Sequence, residues 1–122
     1  MILLTGITGK SGSWLLKRLI AEQDTLKGCQ FRAVVRNPAK VEGLELGALS
    51  VEFAIGDLTD EAFLNSVMRG VDTVLHISGI FFSTGIVRAA LANNVRRLIL
   101  VHTTGIYSKY KAASSGYLAI ER

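Results

Sequence analysis

The sequence predicts an α/β fold of three layers, a parallel sheet of about five strands between helices on both faces. Three observations carry it. Five short apolar runs recur along the 122 residues, at 2–4, 31–35, 51–54, 73–75 and 98–101. Between them lie segments whose apolar residues recur at helical spacing. A glycine-rich turn, Gly6-Ile7-Thr8-Gly9-Lys10-Ser11-Gly12, joins the first run to the first helical segment.

The elements follow in order. Ile2, Leu3 and Leu4 form a short buried strand, and Leu15, Leu16, Leu19 and Ile20 mark the helix behind the turn. The second strand, 31–35, stops at Arg36-Asn37-Pro38, because proline biases Asn37 away from the helical region and suits the first turn of a new helix. A short helix is expected there, with Val41, Leu44 and Ala48 on one face. The third strand ends in Gly56-Asp57-Leu58. Thr59 or Asp60 caps the next helix, whose stripe is Phe63, Leu64, Val67 and Met68 and which Gly70 ends. The fourth strand runs out to His76-Ile77-Ser78-Gly79. Ile86, Val87, Ala90 and Leu91 mark the helix after it, closed by Asn93-Asn94. The fifth strand opens into His102-Thr103-Thr104-Gly105-Ile106-Tyr107, and 112–122 reads as helical around Gly116.

Strand, glycine turn and helix together make a diphosphate site. Glycines let the backbone approach the ligand, and the first amides of the helix, at its positive end, favour an anion. Gly9-Lys10-Ser11 also resembles the end of the triphosphate loop G-x-x-x-x-G-K-[ST]. That motif needs glycine at position 4, which is Leu4. The plain alternative is a glycine turn that merely joins strand to helix. Convergence weighs against it. In doubly wound sheets ligands bind beyond the carboxyl ends of the strands. Those ends carry Gly6 to Gly12, Arg36, Gly56-Asp57, Ser78-Gly79 and Thr103-Thr104.

Composition bounds the rest. Hydrophobic residues are 49% and charged residues 20%, as in a globular chain. No apolar run is long enough for a membrane span, and the first is too short for a signal peptide. Cys29 is the only cysteine, so no internal disulfide forms and a cytoplasmic location is expected. The net charge of +4 is scattered, without an aromatic-interleaved basic stripe, which argues against nucleic acid. His76 and His102 lie at neighbouring strand ends, but no Cys, Asp or Glu set completes a metal site around them.

Thr5-Gly6-Ile7-Thr8-Gly9-Lys10-Ser11-Gly12 resembles the T-G-x-T-G-x-x-G loop of extended and atypical short-chain dehydrogenase/reductases. Val34-Val35-Arg36-Asn37-Pro38-Ala39-Lys40, Gly56-Asp57-Leu58-Thr59-Asp60 and Val101-His102-Thr103-Thr104-Gly105-Ile106-Tyr107 resemble the NmrA-like atypical branch and its epimerase relatives. The resemblance covers the whole chain and only the front of such a family member. It implies that residues 1–122 are one NAD(P)-binding Rossmann domain, cut from a longer protein whose substrate-binding part lies elsewhere. The fifth strand would then be an edge, open to pairing between chains as a homo-oligomer.

The resemblance also implies residue roles. Gly6, Gly9 and Gly12 would carry the pyrophosphate, with Thr8, Lys10 and Ser11 beside them, and Asp57 and Leu58 would meet the adenine. Ser78 and Gly79 would complete the cofactor contacts at the fourth strand. NAD sites place a carboxylate at the end of the second strand, which would repel a 2′-phosphate. This chain has Arg36 there and Lys40 one turn on, so NADP is favoured over NAD. Asp57 as a helix cap and Arg36 as a solvated strand end are the plain alternatives. For catalysis, Tyr107 and Lys111 fit the spacing Tyr-x-x-x-Lys, with Thr103 as the hydroxyl near the fifth strand. A second alignment, anchored on Glu121, places Tyr117 where the lysine would stand. Two functions follow: an oxidoreductase or epimerase acting on a small molecule, or a non-catalytic regulator that senses NADP or binds a protein partner.

Overall fold

The computed structural model describes residues 1–102. The expected helix at 112–122 and the residues Thr103, Tyr107, Lys111 and Tyr117 lie outside that range.

Strands β1 (Ile2–Thr5), β2 (Gln30–Val35), β3 (Ser50–Ile55), β4 (Thr73–His76) and β5 (Arg97–Leu100) form one sheet in the order β3-β2-β1-β4-β5. Every pairing is parallel. Helices α1 (Lys10–Ala21), α2 (Glu61–Val67) and α3 (Ser83–Ala92) connect them. Strand order runs outward from β1 to β3 and then restarts on the other side with β4. The switch point lies between β1 and β4, and a ligand crevice forms at such a point.

Alternation along the central strand divides the core. Leu3 packs on one face with Val34 and Val74 against Leu64, Val67, Met68 and Ile86 of the α2 and α3 segments. Leu4 packs on the other face with Phe31, Ala33 and Val35, against Leu15 and Leu19 of α1. Leu3 and Leu4 are both essentially unexposed. Full burial of each is worth about 1.5–3 kcal/mol. Helices therefore cover both faces, as the sequence predicts.

Arg32 ties the layers together. It points from β2 and pairs through Nε with Glu52 of β3, while Nη1 donates to the carbonyls of Val67 (2.6 Å) and Arg69 (2.9 Å). These carbonyls are the unpaired acceptors at the C-terminal end of α2, where a cation is favoured. Asp60, rather than Thr59, caps the start of α2, its carboxylate accepting from the Phe63 amide at 3.1 Å.

The helix expected around Val41, Leu44 and Ala48 does not form. A single 3₁₀ turn, Pro38–Lys40, is followed by turns and an extended segment. Gly43 (φ +72°) and Gly47 (φ +58°) are left-handed, and either would end a right-handed helix. Val41 still packs on the α1-side core, which explains its apolar character without a helix. The segment is held at its far end by Gln23 of the connection after α1, whose Oε1 accepts from the Ala48 amide at 2.7 Å. Among the described residues no helix is long and apolar enough to cross a membrane.

Candidate functional site

The glycine turn is built by close approach. Gly6 is left-handed (φ +77°), and a Cβ there would stand 2.7 Å from the Ser78 amide nitrogen. At Gly12 a Cβ would stand 1.8 Å from the Gly6 carbonyl oxygen. Only a helix with no side chain at that position can press this tightly on the strand exit. Gly9 is different: a Cβ would meet only the Gly6 carbonyl, at an ordinary 3.5 Å. Gly9 is also the N-cap of α1, and no side chain caps the helix there. No acidic residue occupies the first turn. The amides that open α1 have no partner within the helix, so its positive end remains available to an anion.

A crevice of about 420 Å³ opens beside this helix end. Its floor is Gly6, Thr8, Gly9, Lys10, Ser11 and Gly12. Arg36 and Gly56 close it on the β2–β3 side, with Leu58 beyond them, and Ser78 and Gly79 close it on the β4 side. Four strand exits thus meet at one place. Arg36 is exposed and forms no ion pair among the described residues. Lys10 adds a second cation at the floor.

Two expected residues stand apart. Lys40 lines a separate groove between α1 and the 38–49 segment, together with Leu16, Lys17 and Leu44. That groove adjoins the crevice, since Thr8 lines both. Asp57 is exposed and does not line the crevice. Its Oδ1 accepts from the Thr59 amide at 2.8 Å and the Thr59 hydroxyl at 2.7 Å. Those bonds, amide first, hold its carboxyl below the usual carboxylate value, with a smaller push from the Arg36 charge. Asp57 therefore shapes the turn that carries Leu58 into the crevice, and the capping of α2 falls to Asp60.

The crevice also includes residues that the sequence did not single out: Val34, Val35, Ile77 and Phe82. Val34 and Val35 read as plain strand core. Phe82 enters through the 3₁₀ turn Ile80–Phe82, which leads into α3.

Behind the β1 exit lies a buried polar pair. Thr5 and His76 are register partners in adjacent strands, and neither is exposed. Thr5 Oγ1 lies 2.7 Å from His76 Nδ1, and it accepts from the amides of Ile77 (3.1 Å) and Ser78 (3.2 Å). Burial lowers the His76 pKa to about 4, the Gly79 backbone pulls the other way, and the nearby His102 adds slightly to the lowering. His102 itself meets the Ser83 hydroxyl at 3.0 Å. Among the described residues no group of three or more His, Cys, Asp or Glu is placed to hold a metal ion.

The sequence pattern of a family described as NAD(P)H-binding matches residues 6–119. Quinone oxidoreductase 2 of Escherichia coli (strain K12) is 40% identical over 78 residues, which are 64% of this chain and 26% of that protein. Dihydroflavonol 4-reductase of Hordeum vulgare is 32% identical over 83 residues, 63% of this chain and 22% of that protein. Among solved structures, the E. coli NADPH-dependent quinone oxidoreductase QOR2 complexed with NADPH aligns with a TM-score of 0.74 at 29% identity. That alignment covers 99% of this chain and 43% of the other. Triphenylmethane reductase of Citrobacter sp. complexed with NADP(H) aligns with a TM-score of 0.72 at 26% identity, over 99% of this chain and 44% of the other. The chain spans about a quarter of the curated relatives and less than half of these two structures.

Proposed function

The chain belongs to the NAD(P)H-binding family, and from that premise we propose that residues 1–122 hold NADP(H) for a reductase acting on an apolar small molecule, a quinone being the first class to test. The observation that carries this is the crevice itself. Arg36, with no ion pair among the described residues, and the start of α1, with no side-chain cap, face one opening, lined by glycines that leave room for a ligand. The relatives named above as NADPH-dependent or bound to NADP(H) support the same cofactor.

Bound NADPH supplies the hydride. The chain's own residues bind and orient. The α1 amides and Gly9 take the pyrophosphate, with Thr8, Lys10 and Ser11 around it. Arg36 pairs with the 2′-phosphate through a planar fork of N–H donors that suits phosphate geometry. Leu58 packs against the adenine, and Ser78 and Gly79 bound the β4 side. For proton transfer we assign Tyr107, Lys111 and Thr103, on the Tyr-x-x-x-Lys spacing and the strand-end hydroxyl of the sequence.

The test is a calorimetric titration of the 122-residue chain with NADPH, NADH and ATP with Mg²⁺. Saturable NADPH binding, tighter than NADH, is expected. Trp14 fluorescence gives a second signal, since Trp14 lies on the first turns of α1, 65% exposed, with Lys17 Nζ 4.7 Å from its ring centroid. Binding of ATP with Mg²⁺ and none of NADPH would return the turn to the triphosphate reading. NADPH oxidation with a quinone panel, compared in Tyr107→Phe and Lys111→Ala, tests the proton-transfer assignment.

A further inference from the structure

A hydroxyl group has one proton and two lone pairs. Thr5 Oγ1 has three neighbours. Two are backbone amides, of Ile77 and Ser78, and an amide can only donate. Both lone pairs are therefore taken, and the Thr5 proton must go to the third neighbour, Nδ1 of His76. Nδ1 is then an acceptor, and the proton of the neutral ring sits on Nε2. Nε2 is fully buried and makes no hydrogen bond of good geometry among the described residues, although the Gly79 backbone favours a proton on the ring. The alternative tautomer would donate from Nδ1 and leave Thr5 with three donors for two lone pairs.

We propose that His76 is a positioning residue for the dinucleotide: by accepting the Thr5 proton it makes the Thr5 hydroxyl a double acceptor, which fixes the Ile77 and Ser78 backbone at the crevice wall. His76 does not line the crevice, whereas Ile77, Ser78 and Gly79 do. The geometry around it leaves little slack, since Gly6 comes so near that a Cβ there would stand 2.7 Å from the Ser78 nitrogen and 3.1 Å from the Ile77 carbonyl carbon. Burial keeps the ring neutral at ordinary pH, so the acceptor persists. The inference rests on the reading of this crevice as the NADP(H) site.

Three measurements test it on the 122-residue chain. Long-range ¹H–¹⁵N spectra of the His76 ring should show the proton on Nε2; a proton on Nδ1 overturns the proposal. Amide exchange at Ile77 and Ser78, without ligand, should quicken in His76→Leu and not in His76→Asn. The Asn side-chain oxygen stands where Nδ1 stood and can accept the same proton. NADPH affinity should fall about five- to tenfold in His76→Leu, the size of one lost hydrogen bond, and recover in His76→Asn. Equal exchange and equal affinity in the parent and both variants would overturn it. Should His76→Leu fail to fold, Thr5→Val against Thr5→Ser gives the same contrast, with the hydroxyl lost or kept. A parent chain that takes no NADPH overturns the cofactor reading instead, and the tautomer and exchange results still decide the Thr5–His76 arrangement.

Discussion

The connection after β1 and the connection after β2 invite comparison. Both carry glycines, and both carry apolar residues at helical spacing. The first yields α1 packed hard on the strand exit; the second yields one 3₁₀ turn and a looped segment. The glycines account for the difference. Gly12 lies inside its helix with right-handed backbone and is required because there is no space for a side chain. Gly43 is left-handed with open space around it, so it is required by backbone angle and stops a helix from forming. The same residue type thus serves close packing in one region and chain reversal in the other.

Gly12→Ala should break the first region outright. Its methyl group would fall on the Gly6 carbonyl, a backbone atom that cannot turn aside. Overpacking of this kind costs about 3 kcal/mol or more when the backbone must move. Thermal denaturation should show the loss, and NADPH binding should vanish with it.

Arg36→Asp probes the short stretch of the second connection that still reaches the crevice. It removes one charge-assisted pairing, worth about 1.5–3 kcal/mol, and adds repulsion. NADPH affinity should fall at least about tenfold, NADH affinity much less, and the melting temperature should hold. Equal losses for both cofactors would make Arg36 a structural residue.

The Thr5–His76 pair, where β4 lies beside β1, carries a proton dependence. The His76 pKa is about 4 in the folded chain, against an ordinary value of 6.5. Between those values the unfolded chain binds more protons, so stability is full above about pH 6.5 and declines as pH falls towards 4. The slope reaches at most about 1.4 kcal/mol per pH unit for a single group. Denaturant melts of the parent and His76→Asn across this window should differ in slope, with the Asn variant flatter.

Gly43→Ala should give the smallest effect. An L-residue at φ +72° costs about 1 kcal/mol, and nothing lies close enough to clash. Stability should drop by that amount and NADPH affinity should stay unchanged, which would separate the two uses of glycine experimentally.

The five strands were legible because parallel strands buried on both faces read as continuous apolar runs, and the strand-end residues followed from the topology. Ten of the expected cofactor residues do meet in the crevice, among them Gly6, Arg36, Leu58 and Ser78. The errors have physical causes. The spacing of Val41, Leu44 and Ala48 matches a helix, but the angles at Gly43 and Gly47 are set by backbone geometry that composition does not reveal. Phe82 enters the crevice only because a 3₁₀ turn precedes α3. The Thr5–His76 pair depends on β1 lying beside β4, which needs the strand order before any register can be drawn.

The central position of β1 has a kinetic consequence. Its partner β2 follows within about thirty residues, but Thr5 and His76 are 71 residues apart. Closing that longer loop comes at greater entropic cost, and contacts of such separation slow folding. The β1-α1-β2 half can assemble first, while the crevice waits for β4 to dock because Ile77, Ser78 and Gly79 arrive with it. A dinucleotide spanning both halves would then be gripped only after the rate-limiting step. In stopped-flow experiments NADPH should slow unfolding and leave the refolding rate untouched.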